Sequence, residues 1–287
     1  MKYELRPMDI GEILDRSLKI YLENFGRLLA IALTVAVPAI LIVAVFQGSI
    51  QGMAEAGPAA SDQERLRDVL GGFALLLAML FSLIVVSGLT QGAMIQAISN
   101  LYLGQPADLG QAFSRALSRA VPLICSTMIV GFVVGMGTCA CIFPGLYLAA
   151  AWFGASAAVV LEDRGPIDSM TRSWHLSRDH RGRIFGCLCI VYAAIIILNG
   201  LMSWALHVAR QSGFPYFFKI TDLAEIVISQ LWGALFQPLM AIVIILLYYD
   251  LRVRKEAFDL QVLAREMGTA PPPSEDGASP SAPPPAP

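Results

Sequence analysis

The chain has 287 residues, 56% of them hydrophobic and 15% charged, with a formal net charge of −2 and a mean hydropathy of +0.63. A soluble domain carries about a quarter charged residues, so the composition excludes an ordinary soluble enzyme and places the chain among membrane proteins. The net charge by itself says little, and no nucleic-acid partner is expected.

The first element is a polar, amphipathic segment. Ile10, Ile13, Leu14, Leu18, Tyr21, Leu22 and Phe25 recur at spacings of three and four, while Glu12, Asp15, Arg16, Lys19 and Glu23 take the other side. The segment returns as Asp108-Leu109-Gly110-Gln111 with Arg115, and more faintly as Gly165-Pro166-Ile167-Asp168 with Arg172-Ser173-Trp174. Asp9 with Glu12, and Asp108 with Gln111, have the capping-box spacing of a helix start. Such a helix either lies in the membrane interface with its apolar face among acyl chains or packs that face on the mouth of the bundle. Both remain open at this point.

Apolar runs long enough to span a bilayer, about 20 residues, follow at roughly 28–46, 71–97, 121–142, 145–161, 184–207 and 226–249. The fourth is the shortest. The expected fold is therefore all-α, a polytopic membrane bundle of about six transmembrane helices. Its expected arrangement is three repeats of an interfacial amphipathic helix plus a helical hairpin, near residues 9–98, 108–161 and 165–251 of a membrane domain covering 1–267. With both termini on one side, that side holds all but Arg65, Arg67, Arg210 and Lys219 of the 20 Lys and Arg residues. Basic residues favour cytoplasmic loops, so both termini are expected in the cytoplasm of a bacterium and the chain in its plasma membrane. The first apolar run is too long for a cleaved signal peptide. Residues 268–287, rich in Pro, Ala and Ser, read as a disordered cytoplasmic tail.

Within the spans, Gly131 with Gly135, and Ala150 with Gly154 and Ala158, have small-residue spacings that let helices approach closely. Pro38 and Pro238 are candidate kinks. The span interiors hold no Asp, Glu, Lys or Arg, which counts against an ion-coupled pump. Asn199 and Gln237 are the polar residues set deepest, and either bond between helices or line a polar cavity. The Cys139/Cys141 and Cys187/Cys189 pairs fall near opposite ends of the bundle, on the order of 25 Å apart, too far for one thiolate site. His175, Asp179 and His180 lack the spacing of a metal site. No hydrolase, metalloprotease or phosphate-binding motif occurs, and no cofactor or metal is expected.

Arg6-Pro7-Met8-Asp9-Ile10-Gly11-Glu12-Ile13-Leu14-Asp15-Arg16 with Tyr21 and Phe25, Phe143-Pro144-Gly145-Leu146-Tyr147-Leu148, Gly165-Pro166 with Arg172-Ser173-Trp174, and Tyr248-Tyr249-Asp250-Leu251-Arg252-Val253-Arg254-Lys255-Glu256 together resemble the bacterial glycerophosphoryl diester phosphodiesterase membrane-domain family. The likeness runs over nearly all of the chain up to the tail. In some members this membrane part is fused to a phosphodiesterase barrel; the chain carries no such barrel, so the resemblance implies no enzymatic activity and no catalytic residue. What it implies is a non-enzymatic scaffold or accessory protein organising lipids or another membrane protein. The alternative is a transporter or lipid-handling carrier with a polar cavity at Asn199 and Gln237. The expected interaction surface is the inner face: Glu12, Asp15, Arg16, Arg115, Arg172, Trp174, Asp250 and Arg252.

Overall fold

The computed structural model describes residues 7–55, 61–105, 108–211 and 222–256, so Arg6 and the proline-rich tail lie outside the described residues. The described residues form ten helices: α1 Ile10–Glu23, α2 Phe25–Glu55, α3 Asp62–Tyr102, α4 Leu109–Ser118, α5 Ala120–Ala140, α6 Ile142–Ala151, α7 Ala155–Leu161, α8 Pro166–Ser177, α9 Arg181–Gln211 and α10 Asp222–Glu256. Six stretches are long and apolar enough to cross a membrane, α6 and α7 counting together as one. The protein is thus a multi-pass, all-α membrane bundle, and its elements repeat three times as a short helix followed by a hairpin. We call the helix that completes each hairpin, α3, α6–α7 and α10, its returning helix.

The three short helices lie at one end of the bundle. Each packs on the returning helix of the preceding unit: α4 on α3, α8 on α7 and α1 on α10. The last contact joins the first unit to the third and closes the set into a ring. Polar contacts fix how α1 runs. Asp250 accepts the Met8 backbone N–H at 2.7 Å, and the Tyr21 hydroxyl donates to the Leu235 carbonyl at 2.6 Å. Thus α1 descends antiparallel along about four turns of α10.

Its apolar stripe does what amphipathic spacing requires, burying Ile13 and Ile20 completely and packing Ile10, Leu14 and Tyr21 against the core. The outer flank, with Leu18 and Leu22, stays exposed. Of the two readings of the amphipathic face, packing on the bundle describes α1. Asn24 ends the helix by turning its side-chain amide and backbone N–H back to the Ile20 carbonyl. Neither capping box forms. Asp9 makes no side-chain cap bond, and Glu12 turns to Arg16. Asp108 does cap α4, but by accepting from Gly110 N–H at 3.0 Å.

The same position packs in each short helix. Ser17, Ala116 and Ser173, each next to the repeated arginine, are all fully or almost fully buried. Small size lets the short helix seat closely. A Cβ on Gly92 of α3 would lie 3.3 Å from the Ala116 methyl and 2.6 Å from Leu123, and the Gly154 N–H donates to Ser173 Oγ at 3.1 Å.

The fourth span is short because it is interrupted. Between α6 and α7 the chain leaves the helix at Trp152, Phe153 and Gly154. Backbone groups freed inside a membrane protein must find partners, and α8 supplies them. Ser173 and Ser177 both donate to the Ala151 carbonyl at 3.0 Å. Gly154 leaves room for Tyr248, whose ring carbon would be 2.8 Å from an added Cβ. Ser173→Ala with Ser177→Ala strands that carbonyl and the Gly154 amide. The expected cost is about 2 kcal/mol, read as a lower thermal-unfolding midpoint in detergent, with either single change costing less.

Close helix approach falls at Gly154, as its spacing suggests, but not at Gly131 and Gly135. Nothing lies near Gly131 or Gly135, whereas a Cβ on Gly145 would sit 2.6 Å from the Thr138 amide. The α5–α6 hairpin crosses backbone against backbone there. Ala150, Gly154 and Ala158 are packed as expected. Packing is uneven along the bundle. Met94, Ile95, Ile98, Val159, Val160, Ile242 and Leu246 form the core near the short helices, while the far half of the 41-residue α3 exposes Leu66, Val69 and Phe73.

Candidate functional site

The repeated arginines share a job. Each reaches from its short helix to the end of its own unit's returning helix. Arg16 donates to the Tyr102 hydroxyl at 3.4 Å, Arg115 pairs with Asp163 at 2.8 Å, and Arg172 grips Glu256 through both terminal nitrogens. The short helix thereby rests on the preceding unit and is tied to its own. A cation suits these positions because helix C-termini carry partial negative charge.

The third of these links is the densest. Arg172 also donates to both oxygens of Glu162, at 2.8 and 3.0 Å. Glu162 further accepts from Arg164 at 2.9 Å and from the Tyr248 hydroxyl. Arg252 lies 3.3 Å from Glu256 and 3.6 Å from Glu162. Burial alone would raise the pKa of Glu162, but the hydrogen bonds from Arg172 and Tyr248 outweigh it and bring it down to about 2. A depressed carboxylate stabilises the fold fully above its unfolded value, near 4.5, and the contribution fades as pH falls toward 2. The expected result is a gap in unfolding temperature between wild type and Glu162→Gln that is widest at neutral pH and narrows between pH 4.5 and 3.

Asp250 forms a second centre. Its side chain is fully buried and pairs with Arg254 at 3.0 Å, while Arg254 donates to the Met8 carbonyl at 3.0 Å. With its own bond to Met8 N–H, the carboxylate anchors the segment entering α1. Arg183 approaches Asp250 to 3.4 Å, near enough for charge attraction but not aligned as a hydrogen bond. Beside this centre Tyr102 stacks on Tyr249, and Tyr249 shares a 2.6 Å hydrogen bond with Ser99.

The sequence candidates therefore divide. Glu12 and Arg16 pair with each other at 3.4 Å, and Arg115, Arg172, Asp250 and Arg252 all take part in the contacts above. Asp15 is exposed and pairs with no described residue. Trp174 stands apart, with Tyr147, Trp152 and the Arg181 guanidinium, which lies 3.9 Å from its ring centroid. From the sequence, Glu256 entered only as the last residue of the Tyr248–Glu256 motif, and Glu162 and Asp163 were not among the expected surface residues. Both sit just past helix ends, and Asp163 has a left-handed backbone, φ 57°, that no spacing rule reveals.

Asn199 does not line the recess that holds Gln237. The Asn199 amide donates to the Ile195 carbonyl of its own helix at 2.8 Å. Gln237 lines a recess of about 490 Å³ between α2, α3 and α10, together with Gln230, Ser87 and Thr90. A smaller, central cavity of about 260 Å³ takes walls from all three units, among them Gln91, Ser156 and Tyr192. Among the described residues no three His, Cys, Asp or Glu side chains cluster as metal ligands, and all five cysteines are free. Asp179 pairs with Lys255 at 3.1 Å.

No curated protein and no solved structure matches the chain. A family model matches residues 26–251, from the start of α2 to the end of α10, well over half of the chain. The protein belongs to the family described as Domain of unknown function (DUF7847).

Proposed function

We propose that the protein is a non-enzymatic scaffold or accessory protein of a bacterial plasma membrane, with both termini in the cytoplasm. It organises lipids, or a membrane partner, around its arginine-bearing end. The observation that carries this reading is the state of the three short helices. Their arginines are held in contacts inside the chain, which makes a firm frame, while Leu18, Leu117 and Ile167 remain 49%, 69% and 69% exposed on the frame's flanks. In a bilayer those side chains meet acyl chains, and exposed Lys19 and Arg27 suit anionic headgroups. The excess of basic residues at this end supports the cytoplasmic assignment. The resemblance to the glycerophosphoryl diester phosphodiesterase membrane domain supports a role for this membrane part itself.

The recess at Gln237 favours a second reading, a carrier. Native mass spectrometry of the protein from mild detergent separates the two. The scaffold predicts enriched anionic phospholipid or a defined protein partner, reduced by the combined Leu18→Ser, Leu117→Ser and Ile167→Ser changes. A stoichiometric small molecule abolished by Gln237→Leu would replace it with the carrier.

A further inference from the structure

The central cavity is built differently from its surroundings. It is bounded by Gln91 of α3, Thr127 of α5, Trp152 and Ser156 at the interrupted span, Tyr192 of α9 and Met240 of α10. No Asp, Glu, Lys, Arg or His lines it. Thr138 in the same span as Thr127, and Thr34 and Thr90 in other spans, bond back to the carbonyl four residues earlier, at 2.6–2.8 Å, as a membrane threonine normally does. Thr127 does not: its hydroxyl is buried and has no partner.

Gln91 accepts from Ser156 at 2.9 Å through its oxygen, while its amide nitrogen has no partner. The Trp152 indole N–H and the Tyr192 hydroxyl likewise bond to no described residue. Polar groups left unsatisfied inside a membrane are costly, and here four of them surround one space. The break in the fourth span lines the same space, and irregular backbone at membrane depth is tolerated where it borders a cavity. Tyr192 is 53% exposed, so the cavity reaches the lipid-facing surface.

We propose that this cavity binds an uncharged amphiphile drawn from the bilayer, a neutral glycerolipid of the diacylglycerol kind. Its ester and hydroxyl oxygens take the donors of Gln91, Trp152 and Thr127, and its acyl chains leave past Tyr192. A phosphate headgroup is disfavoured because the wall offers no cation to neutralise it. The site deepens the reading of a lipid-organising protein by naming the lipid class.

The full chain is reconstituted in phosphatidylcholine vesicles holding a trace of diacylglycerol with a photoreactive acyl chain, and labelled peptides are mapped. The expected label falls on the segments holding Tyr192 and Met240, and drops about tenfold in Thr127→Val with Gln91→Leu, as loss of one or two hydrogen bonds implies. Thr127→Val alone is expected to leave unfolding in detergent unchanged, because its hydroxyl has no protein partner, yet to weaken labelling. Equal labelling by a phosphatidylglycerol probe, labelling indifferent to both substitutions, or a high-resolution structure with only water in the cavity would overturn the proposal. Failure of the scaffold reading shows separately, as bulk lipid at the Leu18, Leu117 and Ile167 flanks with cavity labelling intact.

Discussion

Arg172→Met is expected to destabilise the protein by about 3 kcal/mol, the lower end of the cost of removing one member of a buried ion pair, because this pair is partly buried. Arg172 donates hydrogen bonds to both Glu162 and Glu256, and it joins the end of α7 to the end of α10. Without it the two carboxylates face each other across a partly buried space, with Arg252 alone set between them at 3.3 and 3.6 Å. Thermal unfolding in detergent reads the effect. Removing the carboxylates as well, in Arg172→Met with Glu162→Gln and Glu256→Gln, is expected to recover much of the loss. That recovery separates an ion-pair effect from lost side-chain volume.

Asp250→Ala is expected to cost about 3–5 kcal/mol and to release the N-terminal segment. The substitution strips Met8 N–H of its acceptor and leaves Arg254 without its carboxylate partner and Arg183 without the nearest negative charge. Limited proteolysis should then cleave ahead of α1 under conditions in which wild type resists. Asp250→Asn keeps an acceptor for Met8 but not the charge, so its expected loss is smaller and its N-terminus stays protected. Equal cleavage of the two variants would show that charge, not the backbone hydrogen bond, holds the segment.

Hydropathy alone made the membrane bundle legible, because span length and apolar runs are set by the bilayer and need no tertiary information. The recurrence of Arg16, Arg115 and Arg172 likewise exposed the threefold order. What the arginines touch was not legible. Tyr102, Asp163 and Glu256 lie 86, 48 and 84 residues away in the chain, and no local pattern encodes such pairings. The resting place of α1 was equally hidden, since an amphipathic stripe is the same whether it meets lipid or another helix. Gly131 and Gly135 had the spacing of a packing motif but nothing opposite them, while Gly145, which was not singled out, marks a crossing of backbone against backbone. Gln237 was found as a polar residue inside a span. Thr127, Gln91 and Tyr192 drew less notice because their chemistry is ordinary, and only the hydrogen-bonding group that each leaves unpaired beside one cavity sets them apart.

The ring of units rests on α1 running down α10, and one photocross-linking measurement tests it directly. With p-benzoylphenylalanine in place of Tyr21, whose hydroxyl reaches the Leu235 carbonyl at 2.6 Å, ultraviolet light should join α1 to α10 within residues 234–236. Cross-links to lipid alone, or to no part of α10, would mean that α1 lies out in the membrane interface and that the ring is open.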